Sequence, residues 1–286
     1  GRTLLILGEP GSGKTVTLLK LAQSLLDRMG DDLSQPIPVI LNLSSWATKR
    51  EPIEKWLVQE LYTTFQVSKS LGTTWIKDEQ LTLCLDGLDE VAAQHRNTCV
   101  QKLNEFLQTH GRTEAVVCSR IRDYEALSEK IRVKSAIYVR PLPPHQVDQY
   151  LEQAGEQLSA LKTVLSINSE IREFASSPLI LSVMSLTYKG YSLDEFPDVI
   201  TINQFQRKLF NAYIERMFQR RYKNIQNYSD LQVRHWLTWL AQQMDKNSQA
   251  VFLIENIQPS WLATTLQKIR YRIESTILFD AFILLL

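Results

Sequence analysis

The sequence predicts a doubly wound α/β domain built on a five-stranded parallel sheet, followed by helical segments. Three observations carry this. Short apolar runs alternate with helical periodicity through the first 140 residues, a glycine-rich loop falls at the first strand-to-helix junction, and strand signals cease beyond Arg140. The apolar runs are residues 3–7, 37–43, 81–85, 115–118 and 136–139, each flanked by polar or turn residues. Between them, residues 18–26, 53–65 and 98–107 space their apolar side chains three and four apart, as a helix with one buried face does. Strands that alternate with helices pair in parallel, because each crossover helix returns the chain to the same end of the sheet. Runs that are apolar at nearly every position fit strands covered on both faces. Pro141, Pro143 and Pro144 then punctuate the chain. Helices are expected over 144–153, 157–165, 169–176, 179–188, 203–222 and 229–244, with a loop holding Pro197 over 190–200.

Composition sets the outer bounds. Of 286 residues, 44% are hydrophobic and 22% charged, enough apolar material for a packed core, so the chain as a whole is not disordered. Ten Gly and ten Pro exclude collagen-like and low-complexity classes. The 32 basic and 31 acidic residues leave a formal net charge of +1, which is not the field of a nucleic-acid binder or of a polybasic membrane binder. Cys84, Cys99 and Cys118 are an odd count, and two of them fall in apolar strand runs; reduced intracellular thiols fit this better than a disulfide framework. The chain opens on Gly1, enters the apolar TLLILG at once and shows no signal peptide, so it reads as a piece of a longer protein.

The residues that carry chemistry lie at the ends of the expected strands. Gly8-Glu9-Pro10-Gly11-Ser12-Gly13-Lys14-Thr15 matches G-x-x-x-x-G-K-[ST] between a strand and a helical pattern, the context this phosphate-binding motif requires. Small residues let the backbone wrap a phosphate, successive N–H groups point inward as an anion nest, and the positive end of the helix that opens through Thr15 and Val16 adds to the field. Lys14 can reach the β- and γ-phosphates, and the Thr15 hydroxyl can ligate Mg2+. The second motif is Leu81-Thr82-Leu83-Cys84-Leu85-Asp86-Gly87-Leu88-Asp89-Glu90. Asp86 ends the strand where P-loop NTPases make a direct or indirect Mg2+ contact. Asp89 and Glu90 add two carboxylates near the γ-phosphate, either of which could orient or deprotonate the attacking water. The third is Val116-Val117-Cys118-Ser119-Arg120. Ligands of open α/β sheets bind beyond the carboxyl ends of the strands, so Arg120 is placed to sense a γ-phosphate with its planar fork.

Taken together, GEPGSGKT, PVILNLSSW, LCLDGLDEV, VVCSR and SSPLILSVM resemble a NACHT-type NTPase of the STAND class of signal-transduction ATPases. The extra acids after the turn in DGLDE carry the likeness most specifically, since an ATPase motor more often shows a paired DE directly after the strand. The resemblance runs from Gly1 to about Leu262 and is strongest through residue 190. It implies a P-loop nucleotide-binding domain over 1–140, a small helical domain over 141–195 and a second helical, winged-helix-like segment over 196–275; the sequence itself adds an apolar tail over 276–286. It implies that Pro178, within Ser177-Pro178-Leu179, packs on the base or sugar of the nucleotide. The nucleotide is expected to be ATP, or alternatively GTP, bound with Mg2+ and hydrolysed slowly. The resemblance further implies homo-oligomerisation on activation, a role in signalling or defence, and sensor and effector domains outside this chain. The family's phosphate-contacting histidine is not carried over, because the surroundings of His235 do not match. An AAA-type remodelling ATPase and a non-hydrolysing, nucleotide-bound scaffold are the alternative readings.

Other features read as structural. Arg207, Lys208, Arg216, Arg220, Arg221 and Lys223 interleave with Phe210, Tyr213, Ile214 and Met217, which reads as a solvated face on an amphipathic helix, with no direct nucleic-acid binding expected. Trp236 and Trp239 lie three apart on one helix face and are expected in a core. His95, His110 and His145 show no metal-ligand spacing. Residues 276–286, TILFDAFILLL, are shorter than the roughly 20 apolar residues that span a bilayer. The run is read as a packed or docked tail in a cytoplasmic domain; the alternative, prompted by upstream Lys268, Arg270 and Arg272, is the start of a membrane anchor.

Overall fold

The computed structural model describes residues 2–32, 34–196, 201–221, 228–246, 252, 257, 259–262 and 264–283. Strands β1 (Thr3–Gly8), β2 (Ile37–Asn42), β3 (Leu81–Asp86), β4 (Glu114–Arg120) and β5 (Ser135–Val139) form one five-stranded parallel sheet in the order β2-β3-β4-β1-β5. The crossovers run through α1 (Lys14–Asp31), α2 (Ser44–Lys49), α3 (Ile53–Phe65), α4 (Lys69–Lys77), α5 (Ala93–Thr109) and α6 (Ile121–Glu125). The fold class is therefore the one the sequence predicts. Helices α2, α4 and α6 escape the periodicity because each is nine residues or shorter. Helix α4 is set instead by a local signal, the Ser68 cap whose Oγ accepts from the Leu71 N–H at 3.3 Å.

Both faces of the central strands are covered. Leu5, Leu41, Leu83, Leu85 and Val117 face a core closed by Trp46, Trp56, Leu57, Val100 and Leu103. Their strand neighbours Ile6, Cys84, Val116 and Cys118 face Leu18 and Ala22 of α1. This two-sided burial is why the strand runs are apolar at nearly every position. Cys84, Cys99 and Cys118 are buried and free. Burial pushes the Cys84 thiol up to about 11, the Cys99 thiol up to about 12 and the Cys118 thiol higher still, so none is an accessible thiolate near neutral pH. The register sets Gly8 opposite Arg120 and Asn42 opposite Asp86, and with Leu85 opposite Val117, β4 runs on past the end of β3 at the carboxyl edge.

Helices α7 (Pro144–Gln153), α8 (Ser159–Ile167), α9 (Ser169–Phe174), α10 (Pro178–Tyr188) and α11 (Ile202–Arg221) build a second core around Leu151, Leu161, Met184, Tyr188, Phe205 and Leu209. Pro144 and Pro178 occupy first turns, where a missing N–H costs nothing. The apolar stripe of α11 differs from the expected one. Phe205, Leu209 and Phe218 are buried, while Phe210 and Ile214, turned away from them, are exposed. Arg216 is not simply solvated either. Its two Nη groups donate to the Thr187 and Lys189 carbonyls at 2.6 and 2.7 Å, closing the negative end of α10. Arg216→Met is expected to lower stability by about 1–2 kcal/mol through those orphaned carbonyls, read as a lower urea midpoint. An unchanged midpoint would contradict the capping role.

The chain divides into two compact units, residues 1–227 and 228–286. The second holds α12 (Asp230–Lys246) and α13 (Thr265–Ile283). The expectation of a Trp236–Trp239 core needs correction. Trp236 is 47% exposed and meets Tyr228 edge-on at 5.0 Å, and only Trp239 reaches a buried partner, Trp261, at 6.2 Å. The reason is that no described residue of α12 is buried. The C-terminal run continues α13 as helix through Ile283. Among the described residues no helix is long and apolar enough to cross a membrane. The side chains of 277–283 and all of 284–286 lie outside the described residues, as does Pro197 in the 190–200 loop.

Candidate functional site

The loop between β1 and α1 takes its shape from its glycines. Gly11 and Gly13 sit at φ +73° and +96°, a left-handed conformation that costs glycine nothing. A Cβ on Gly8 would lie 2.5 Å from Ser12 Oγ and 3.2 Å from the Val139 carbonyl oxygen, so a larger residue there would displace Ser12. Ser12 Oγ is buried with no hydrogen-bond partner among the described residues, and its N–H closes the turn onto the Glu9 carbonyl at 3.2 Å. Pro10 and Val16 are exposed at either side. Lys14 Nζ curls over the loop and donates to the Gly8 and Glu9 carbonyls at 3.2 and 3.0 Å, which stations an ammonium at the nest.

Two motifs that are 71 residues apart in sequence meet directly. Thr15 Oγ1 donates to Asp86 Oδ2 at 2.8 Å. The other oxygen, Asp86 Oδ1, accepts from the Gly87 N–H at 2.9 Å. Gly87, at φ +73°, turns the chain sharply, and a Cβ there would sit 2.7 Å from Glu90 Oε2. A short 3-10 turn, Leu88–Glu90, follows, anchored by fully buried Leu88.

The turn gives its two acids different environments. Asp89 is committed to Arg120: its Oδ2 pairs with Arg120 Nε at 2.8 Å and its Oδ1 accepts from the Arg120 N–H at 3.0 Å. Glu90 Oε2 instead accepts from Asn42 Nδ2 at 2.8 Å. Burial pushes the Glu90 carboxyl up; the Asn42 bond pulls it down, the charges of Asp89 and Asp86 push it up, and Arg120 pulls it down, with a net rise above the usual glutamate value. A half-buried carboxylate of raised basicity is suited to accept a proton.

Pro178 reaches the same loop. Ser177 Oγ and the Leu179 N–H both donate to the Gly11 carbonyl at 3.3 Å, so the residue between them is carried to the phosphate loop. The structure thus gathers the loop, Asp86, Asp89, Glu90, Arg120 and Pro178 at one edge of the sheet. It adds two residues that the sequence reading did not single out. Asn42 had a legible signal, a polar side chain closing an apolar strand at the edge where ligands bind. Arg96, which donates to the Asp89 and Val91 carbonyls at 2.6 and 2.7 Å from the first turn of α5, had none.

The residues present fit a magnesium–nucleotide. Backbone N–H groups at a left-handed loop suit phosphate, and a hydroxyl beside a carboxylate is a hard-oxygen pair that suits Mg2+. Among the described residues no group of three or more His, Cys, Asp or Glu gathers to hold a metal by itself, so phosphate oxygens and water would complete the sphere.

A phosphate loop joined by its threonine to an acidic strand end across a parallel sheet defines a P-loop NTPase, a nucleotide-binding class that in general takes Mg2+ with its nucleotide. The model of the NACHT domain matches residues 2–157, and the chain belongs to that family. No curated protein matches the sequence significantly. The solved structure of the Aeropyrum pernix ORC1 protein in complex with DNA is similar at a TM-score of 0.47 and 13% identity, covering 75% of this chain and 59% of that chain. The C. elegans PCH-2 structure is similar at a TM-score of 0.42 and 16% identity, covering 76% of this chain and 62% of that chain. The chain spans less than two thirds of the length of either.

Proposed function

We propose that the chain is the nucleotide-driven switch of a signalling or defence protein, binding ATP with Mg2+ and hydrolysing it slowly. The observation that carries the site is the Thr15–Asp86 hydrogen bond, which joins the phosphate loop to the acidic strand end. Gly8 to Val16 wrap the phosphates, with Lys14 supplying the cation. Thr15 and Asp86 would hold Mg2+, which neutralises charge at the β–γ bridge when bound. Glu90 takes the proton of the attacking water, and Asn42 fixes its carboxylate. Arg120 senses the γ-phosphate, and Pro178 packs on the base or sugar. The bonds from Ser177 and Leu179 to Gly11 support the switch reading, because they tie the helical segment to the very loop that wraps the phosphate.

We further propose the division into 1–140, 141–195, 196–275 and 276–286, with Phe205 and Leu209 of α11 sharing the core of the small helical domain. Oligomerisation on activation, a cytoplasmic setting, and sensor and effector domains elsewhere in the protein belong to the same proposal. Its test is ATP turnover by the purified protein. Tight nucleotide binding with turnover well below one per second is expected. Fast steady turnover would favour a remodelling motor, and bound but permanently uncleaved ATP a scaffold.

Asn42→Ala gives a pH test. The lost N–H bond lets the Glu90 carboxyl rise further. Glu90 acts as a base only when ionised, so hydrolysis is lost as pH falls through its pKa. The acidic limb of the rate profile is therefore expected to move to higher pH, and a limb that stays in place would contradict the Asn42 role.

A further inference from the structure

We propose that Asp89 is a positioning residue, the counter-ion that stations Arg120, and that a γ-phosphate binds by exchanging with Asp89 for the same guanidinium; this rests on the nucleotide site proposed above. The two acids of the turn are then divided, with Glu90 as base and Asp89 as the keeper of the sensor. The geometry separates what is fixed from what can move. Asp89 holds Arg120 twice, at the backbone N–H by Oδ1 and at Nε by Oδ2. Rotating the Arg120 side chain breaks only the second bond. The Arg120 side chain is 47% exposed and the Asp89 side chain 8%, so the cation is the partner free to swing.

Arg96 makes the frame rigid. From α5, its Nη2 and Nε donate to the Asp89 and Val91 carbonyls at 2.6 and 2.7 Å, and its Nη1 pairs with Asp123 Oδ1 at 2.6 Å. Asp123 lies on α6, the helix that begins immediately after Arg120. One guanidinium therefore ties the acid turn to the backbone that follows the sensor. The Arg120 side chain is left as the movable part.

The exchange has a thermodynamic signature. A nucleoside diphosphate leaves the Asp89–Arg120 pair intact. A triphosphate must compete with Asp89 for the guanidinium, so its affinity is reduced by whatever the pair contributes. For a partly exposed pair this is at most about fivefold. The pair thus sets how strongly the protein distinguishes triphosphate from diphosphate.

The test measures the affinities of Mg-ADP and of a non-hydrolysable Mg-ATP analogue in the wild type, Asp89→Asn, Arg120→Met and the double variant, each checked for an unchanged melting profile. Asp89→Asn is expected to tighten the ATP analogue up to about fivefold and leave ADP unchanged. Arg120→Met should weaken the analogue selectively, and the double variant should match Arg120→Met. Asp89→Ser, which removes the charge with a smaller side chain, replaces Asp89→Asn if the amide disturbs the turn. An unchanged ratio in the Asp89 variant overturns the proposal while leaving the nucleotide site standing. So does a gain that persists in the Arg120→Met background, because the effect would then be a direct field on the phosphate. Failure of the wild type to bind either nucleotide overturns the site and the proposal together.

Discussion

Lys14→Ala is expected to weaken nucleotide binding by roughly tenfold to more than a hundredfold. The ammonium is held over the loop by the Gly8 and Glu9 carbonyls, so it meets a phosphate without a search through rotamers. A charge-assisted hydrogen bond of this kind contributes about 1.5–3 kcal/mol, which sets the range. The loop's shape does not depend on Lys14, because the left-handed glycines at 11 and 13 set it. The variant should therefore fold normally and fail in binding alone. Titration with a fluorescent ATP analogue in Mg2+ checks this, and wild-type affinity in the folded variant would contradict the assignment of the phosphate loop.

Glu90→Gln is expected to slow hydrolysis by about 10²–10⁴-fold, the usual contribution of a positioned general base, with ATP affinity changed only a few-fold. The amide oxygen of glutamine can still accept from Asn42 Nδ2, so the turn keeps its shape. What disappears is the basic carboxylate, which burial raises above the ordinary glutamate value. Single-turnover assays separate the cleavage step from binding and release. Equal loss of binding and cleavage would contradict the separate role given to Glu90.

Much of this arrangement is legible in the sequence. The five strands are marked by unbroken apolar runs, and two-sided burial is what makes those runs unbroken. The phosphate loop is legible because a backbone at φ +73° and +96° restricts the residue type so strongly that the pattern itself carries the geometry. The division of labour between Asp89 and Glu90 is not legible. It depends on Asn42, 48 residues before Glu90, and on Arg120, 31 residues after Asp89, contacts made by sheet register and not by spacing. Arg96 illustrates the same limit, since an arginine bonded to backbone carbonyls leaves no mark in the pattern of residue types. The Trp236–Trp239 pair shows the converse. A spacing of three places two side chains on one helix face, but whether anything packs there depends on neighbouring elements, and α12 buries little.

The central claim is that Thr15 and Asp86 form, with the loop, a magnesium–nucleotide site. Its most direct test is the affinity for a fluorescent ATP analogue with Mg2+ and with EDTA, in the wild type and in Asp86→Ala. The wild type should bind more tightly with Mg2+, and that gain should vanish in Asp86→Ala while the Mg2+-free affinity stays close to the wild type's. An undiminished Mg2+ gain in the variant, or none in the wild type, would contradict the account.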